Sequence, residues 1–208
     1  MQNSYILSIK QIQKAKKKVC LSNGADFVLY NKEVRIYNLE EGMEITEELY
    51  NQLLEEIYIP RATKRAMFLL EKMDRSEAQL RDKLHTAGYP TEAIDAAIEY
   101  VYKYHYLDDE RLAKSYIRFY QDTRSRNRIK QDLMKKGISK DVIESSMEEE
   151  YTNSQSELIR KLLQKRHYNP DEATYEERAK MYRFLMGRGF TSSDISKVMK
   201  GGDMDLYD

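Results

Sequence analysis

The chain has 208 residues, with 35 Lys and Arg balancing 35 Asp and Glu, 34% charged residues and 41% hydrophobic ones. A charged share above the usual quarter suits an elongated, surface-rich helical array of one or two domains better than one thick core. No apolar run approaches the ~18 residues of a membrane span, the first residues lack the apolar stretch of a secretory signal, and the single cysteine, Cys20, excludes an intrachain disulfide framework. The expectation is a soluble, cytoplasmic protein.

Residues 1–60 differ in kind from the rest. Segments 18–23 and 27–31 flank Asn23-Gly24, a turn signal, and predict a hairpin, with 5–10 as a third strand. The stretch 32–39 is ambiguous, since Val34 and Ile36 alternate as in a strand. Thr46 is the predicted cap of a helix running to about Tyr58 and stopped by Pro60.

From residue 61 the chain repeats itself around a glycine. Counting from Gly88, Gly137 and Gly189, position −8 holds Leu80, Ile129 and Met181, and position −4 holds Leu84, Leu133 and Leu185. Position +1 holds Tyr89, Ile138 and Phe190; +6 holds Ile94, Ile143 and Ile195; +10 holds Ile98, Met147 and Met199. The glycines are 49 and 52 residues apart, a period that signals stacked supersecondary units. Apolar residues four apart and then Gly predict a helix closed by a left-handed residue, with the next apolar side chain folding back on its last turn. Thr91, Ser139 and Thr191 are the predicted caps of a following helix. A further helix precedes each pair, at about 62–73, 109–121 and 154–166. In the third unit Asn169-Pro170 lengthens the joint and Thr174-x-x-Glu177 restarts the helix as a capping box. The fold class expected is therefore mainly α: three tandem three-helix repeats (61–106, 107–152, 153–200) in an elongated array, a small N-terminal α/β extension of hairpin plus helix (1–60), and an acidic tail (201–208).

The zero net charge hides strong segregation. Residues 38–60 hold seven Glu and no base, whereas 111–140 hold ten Lys and Arg against Asp122 and Asp132, a net of +8. Residues 141–157 reverse sign with six acids, and 158–200 return to ten bases against five acids. Such alternating fields govern partner choice more than fold.

The run Tyr106-Leu107-Asp108-Asp109-Glu110-Arg111 with Ala113, the stretch 128–137, Arg183-Phe184-Leu185 and Arg188-Gly189-Phe190 resemble the RecX family of bacterial recombinase regulators. The resemblance covers roughly 62–200, and Leu39–Ile45 is similar to an extension that many members carry. Two positions depart from it: His105 and Leu112 stand where the family often has Gly and Phe. The resemblance implies a non-enzymatic protein that binds RecA filaments on single-stranded DNA, in the helical groove, and inhibits strand exchange and co-protease activity. An array of similar units is compatible with touching several subunits of a polymer at once.

The basic segment is the candidate working surface. Arg124 and Arg128 are read as exposed positions of a helix from about 124 to 136, with Ile129 and Leu133 facing the core. The residues assigned to the partner are Arg118, Arg124, Arg126, Arg128, Lys130, Lys135 and Lys136, with Arg183 and Arg188 of the third unit. Guanidinium forks suit phosphate and carboxylate alike, so charge leaves open a RecA surface, single- or double-stranded DNA, an unrelated protein held by a helical scaffold, or mere pairing with the acidic helix at 141–151. Asp108-Asp109-Glu110 reads as a helix start that opposes the macrodipole rather than a metal site. The tyrosines, including Tyr100, Tyr102, Tyr104, Tyr106, Tyr116 and Tyr120, read mostly as helix packing, with base stacking as the other use. His85, His105 and His167 lack partners at ligand spacing, and Cys20 lacks a catalytic histidine. No phosphate loop or dinucleotide fingerprint occurs, and the reading is a monomer with no catalytic residue, metal or cofactor and no membrane contact.

Overall fold

The computed structural model describes residues 4–199; the expected acidic tail at 201–208 lies outside the described residues. By contact, the chain divides into two units, the first ending at Leu107 and the second beginning at Asp108.

The first unit starts with a four-stranded antiparallel sheet in the order β3-β2-β1-β4. Its strands are β1 (Ser4–Gln13), β2 (Lys16–Leu21), β3 (Asp26–Tyr30) and the two-residue β4 (Glu44–Ile45). The β2–β3 hairpin turns at Asn23-Gly24 as expected, with Gly24 at φ +83° and Asn23 Oδ1 accepting from the Ala25 N–H at 3.0 Å. The ambiguous stretch is a short helix, α1 (Asn31–Ile36), and not a strand. The Glu33 carboxylate accepts from the Tyr30 N–H at 2.8 Å, and Asn38 at φ +48° lets the Leu39 N–H close on the Val34 carbonyl at 2.9 Å.

Thr46 caps α2 (Glu47–Leu53), its Oγ1 accepting from the Leu49 N–H at 3.2 Å. Pro60 does not end this helix, contrary to expectation. A π-helical turn, Leu54–Tyr58, leads directly into α3 (Ile59–Lys72), with the Ile59 N–H bonded to the Leu54 carbonyl. Pro lacks the N–H of an α-helical ladder and crowds the carbonyl four residues back; the wider turn relieves both defects before α3 resumes. The repeat then continues with α4 (Glu77–Thr86) and α5 (Thr91–Lys103). Thr91 is not the cap of α5: Pro90 holds that place without a side-chain bond, its extended φ/ψ of −60°/151° and its carbonyl, which accepts from the Ile94 N–H at 3.0 Å, sufficing. Ala62, Ala66, Ala93 and Ala97 are all fully buried, so α3 and α5 approach through small side chains. One core runs unbroken from Ile6 and Val19 of the sheet to Leu84 and Leu107 of the repeat.

The second unit holds α6 (Asp109–Tyr120), α7 (Arg126–Lys135) and α8 (Lys140–Glu150), then α9 (Gln155–Lys165), α10 (Tyr175–Gly187) and α11 (Ser192–Met199). Each trio has its own core, one around Ile117, Leu133 and Met147 and one around Ile159, Leu185 and Ile195. Asp108, Ser139, Ser154, Thr174 and Thr191 cap their helices as side-chain acceptors, and Thr174 and Glu177 form the expected capping box.

The glycine register has the same geometry three times. Gly88, Gly137 and Gly189 sit at φ +83°, +81° and +84°. In each case the glycine N–H bonds the carbonyl three residues back at 2.9 Å, and the following N–H bonds the carbonyl five back, that of Leu84, Leu133 or Leu185, at 3.3 Å. This double closure satisfies carbonyls that a helix end would otherwise orphan. His105 (φ +57°) and His167 (φ +52°) close α5 and α9 in the same conformation. His105 is the position where the resembling family often has Gly, and this backbone is the reason glycine suits it.

Leu84, Leu133 and Leu185 are each completely buried. Replacing any one with Ala should cost about 2–5 kcal/mol in urea unfolding; a loss no larger than that of an exposed control would contradict the register. The glycines differ in a second respect. A Cβ at Gly88 meets nothing within 4 Å, whereas one at Gly189 falls 2.8 Å from the Ser125 Oγ. Gly88→Ala should cost only the backbone strain, about 1–3 kcal/mol, and Gly189→Ala measurably more.

Candidate partner-binding cleft and basic face

The basic segment separates into anchored and free side chains. Ser125 caps α7, so Arg124 precedes the helix rather than lying on its exposed side. Its side chain is 34% exposed. Arg124 Nη1 lies 2.6 Å from Asp132 Oδ2 and donates to the Tyr116 hydroxyl at 2.7 Å. The guanidinium lies over the Tyr120 ring, 3.7 Å from its centroid, and the Tyr116 and Tyr120 rings meet tilted at 47° with centroids 4.4 Å apart. Arg128 reaches the other carboxylate oxygen of Asp132, Nε to Oδ1 at 3.3 Å. One half-buried aspartate thus clamps both arginines. Burial, and then the Asp132 charge, pushes the Tyr116 phenol above its usual range. Burial works against the Arg124 charge, yet the hydrogen bond to Asp132 and the electrostatic pull of Tyr116, Asp132 and Tyr120 together outweigh it and raise the guanidinium. The reading of Arg124 as an exposed helical position is therefore corrected; Arg128 is on the helix and 46% exposed, but paired.

The acidic helix α8 takes a further share. Lys130 pairs with Glu144 and Arg118 with Glu150 at 3.4 Å, while Lys114 bridges Glu110 and Glu149 at 2.6 Å each. The hydrogen bond from Lys130 holds the Glu144 carboxyl below its ordinary range. Lys136 lies 5.4 Å from the Tyr116 ring centroid. By contrast Arg126, Lys135, Arg183 and Arg188 are exposed and make no ion pair among the described residues.

The second and third repeats meet at a cleft of about 340 Å³ lined by Thr123, Arg124, Ser125, Arg128, Leu162 and Arg188, among others, with no acid in its wall. The buried Ser125 hydroxyl makes the joint: it donates to the Arg188 carbonyl at 2.7 Å and accepts from the Arg128 N–H at 3.2 Å. The side chains of Arg188 and Arg166 stack on one Phe184 ring, at 4.6 and 3.8 Å from its centroid. Arg124 and Arg128, 60 or more residues away from Arg188 in sequence, thus share a wall with it. Arg166, Tyr116, Tyr120 and Phe184 escape sequence reasoning as supports of this surface; only the Lys165-Arg166-His167 run at the α9 end hints at the first.

Elsewhere, Asp108 accepts from the Arg111 N–H at 2.8 Å, a capping role. The packing reading of the tyrosines holds for Tyr116 and Tyr120, but Tyr100, Tyr102, Tyr104 and Tyr106 are 36–51% exposed. Among the described residues no group of three His, Cys, Asp or Glu could hold a metal ion, and no helix is long and apolar enough to cross a membrane.

Three family models match the chain in succession: RecX, first three-helix domain, over residues 62–100; the second over 108–147; and the third over 153–199. The Regulatory protein RecX of Caldanaerobacter subterraneus subsp. tengcongensis is 31% identical over 92% of this chain and 95% of its own length. That of Clostridium botulinum is 30% identical over 81% of this chain and 84% of its own. A crystal structure of regulatory protein RecX superposes with a TM-score of 0.63, covering 96% of this chain and all of the other at 24% identity. RecX from Lactobacillus salivarius gives 0.56 over 68% of this chain and 94% of its own, at 21% identity.

Because Arg124 is clamped, Arg124→Ala should destabilise the second unit by about 1.5–3 kcal/mol, the scale of a hydrogen bond to a charged group. Arg126→Glu, at an exposed position, should stay within about 0.5 kcal/mol of the parent in the same urea titration.

Proposed function

This chain belongs to the RecX family, and on that premise we propose that it is a cytoplasmic, monomeric, non-enzymatic regulator that engages RecA filaments on single-stranded DNA and restrains strand exchange and co-protease activity. The observation that carries the reading is the acid-free cleft, where Arg124, Arg128 and Arg188 converge, with the exposed Arg126 next in sequence to the Ser125 that lines it. Asp132, with Tyr116 and Tyr120 against Arg124, holds two of these guanidinium groups in place before any partner arrives, so less side-chain freedom is lost on docking. A fork held this way accepts two oxygens of a phosphate or a carboxylate at once. Long-range attraction by the unneutralised bases hastens encounter with an anionic groove. Docked in that groove, the protein acts by occupying space that a second DNA or a protease substrate needs, and it needs no chemistry of its own. The repeats at 61–106, 107–152 and 153–200 serve in this reading as successive contacts along the filament.

The test is DNA-dependent ATP hydrolysis by the cognate RecA, with and without this protein. Wild-type chain should lower the rate. Arg126→Glu/Arg188→Glu should raise the concentration needed for half the effect by about tenfold or more, equivalent to about 1.4 kcal/mol, at an unchanged melting temperature. Equal potency of the double variant would remove the cleft from the docking surface, and absence of any effect of the wild type would overturn the reading itself.

A further inference from the structure

The β1–β2 hairpin carries a charge distribution that neither the repeats nor the cleft uses. Residues 10–18 contain Lys10, Lys14, Lys16, Lys17 and Lys18 and no acid. Strand pairing sets Lys10 opposite Lys18, Lys18 opposite Val28, and Lys16 opposite Tyr30. Phe27 and Leu29 point into the core, so their alternates Val28 and Tyr30, and with them Lys18, Lys16 and Lys10, lie on the outer face of the sheet. Like charges directly opposite each other weaken a sheet. Among the described residues Lys18 pairs with Asp26 at 2.5 Å, while Lys10, Lys14, Lys16 and Lys17 make no ion pair. The glutamates of residues 40–56 belong to the same unit yet leave them unneutralised. Where one of these reaches β1, the Glu41 carboxylate accepts from the Ile9 backbone N–H at 2.8 Å instead. At the end of the row, Lys16 and Arg61 both sit on the Tyr30 ring, at 5.5 and 4.5 Å from its centroid.

We propose that this hairpin face is a second, separate binding site, one for the phosphate backbone of nucleic acid. Lys16 and Lys18, two residues apart on one strand, are spaced by about 6.6 Å, close to the rise of two base steps, about 3.4 Å each, along the axis of a duplex. Ammonium groups on flexible stems neutralise phosphates without reading bases, so the site is indifferent to sequence. Ser8, Cys20 and Asp26 on that face are small or polar, and the exposed Leu7 and Ile12 of the same strand sit singly at its two register shifts rather than in the continuous apolar flank of an element that lies in a bilayer. The proposal goes beyond the filament reading and does not depend on it, because bare nucleic acid is the ligand.

The experiment is fluorescence anisotropy of a labelled duplex and its single strand with the full chain across a salt series. Each phosphate neutralised contributes about 0.9 to the slope of log affinity against log salt on duplex DNA. Lys10→Gln/Lys14→Gln/Lys16→Gln should flatten that slope by about 2–3 and lower affinity at low salt by about tenfold or more, with circular dichroism unchanged. If the three changes together disturb folding, Lys10→Gln/Lys14→Gln should still flatten it by about 2. Arg126→Glu/Arg188→Glu should retain the hairpin's share of the slope. An unchanged slope in the lysine variant would overturn the proposal, as would loss of all bare-DNA binding in the cleft variant alone. So would equally tight, lysine-dependent capture by phosphatidylserine vesicles, which would mark the face as one for membranes.

Discussion

The Ser125 hydroxyl, buried at the start of α7, donates to the carbonyl of Arg188 and accepts the Arg128 N–H over a residue, Gly189, that has no side chain to interfere. Three demands meet at that point. Gly189 closes α10 in the left-handed region, Ser125 caps α7, and the two helix ends must approach closely enough to bond. Only glycine meets the first and third together, because any Cβ there would press on the hydroxyl that satisfies the second. The cleft follows from this joint. Its arginines come from the loop before one cap, from the first turn of the helix after that cap and from the residue before the other repeat's glycine, and the serine bond brings the three together.

Which bases are available to a partner is decided by local acids rather than by the net charge of the segment. Asp132 occupies Arg124 and Arg128, while Glu144, Glu149 and Glu150 of α8 occupy Lys130, Lys114 and Arg118. A count of +8 over residues 111–140 therefore overstates the free positive field. It also misassigns roles: Arg124, the most immobilised of the set, contributes to the surface as a fixed fork, whereas Arg126 and Arg188 contribute as exposed charges. The two kinds respond differently to mutation, one through stability and the other through binding alone.

The repeat was legible in the sequence because it is written in apolar spacing, and apolar spacing is what a helix pair must satisfy to bury itself. Leu84, Leu133 and Leu185 are the side chains that the register put in the core, and their glycines close the helices with matching bond lengths. The chain's passage through Pro60 was not legible. A proline inside a helix normally stops it, and the π-turn that rescues this one is set by packing of Leu53, Ile57 and Tyr58 into a core shared with β1, β2 and β3, which precede it by more than twenty residues. Strand β4 was likewise invisible, since two residues carry no period. In the cleft, the Arg128–Asp132 pair could be read from its four-residue spacing. The Arg124–Asp132 pair could not, because a cap intervenes, and the Ser125–Arg188 bond spans sixty-three residues.

The unbroken core of the first unit has a consequence for synthesis. Its sheet buries Ile6, Val19 and Leu29 in a cluster completed by Val101 and Leu107, so a chain emerging from the ribosome exposes those strand residues until about a hundred positions have been made. Each later trio completes its core within some forty-five residues, between Ala113 and Met147 and between Leu158 and Met199. Loop closure over the longer span is the slower event. Nascent chains are therefore most open to misassociation while their exposed segment is the lysine-rich hairpin, whose like charges keep neighbouring chains from pairing along its edge.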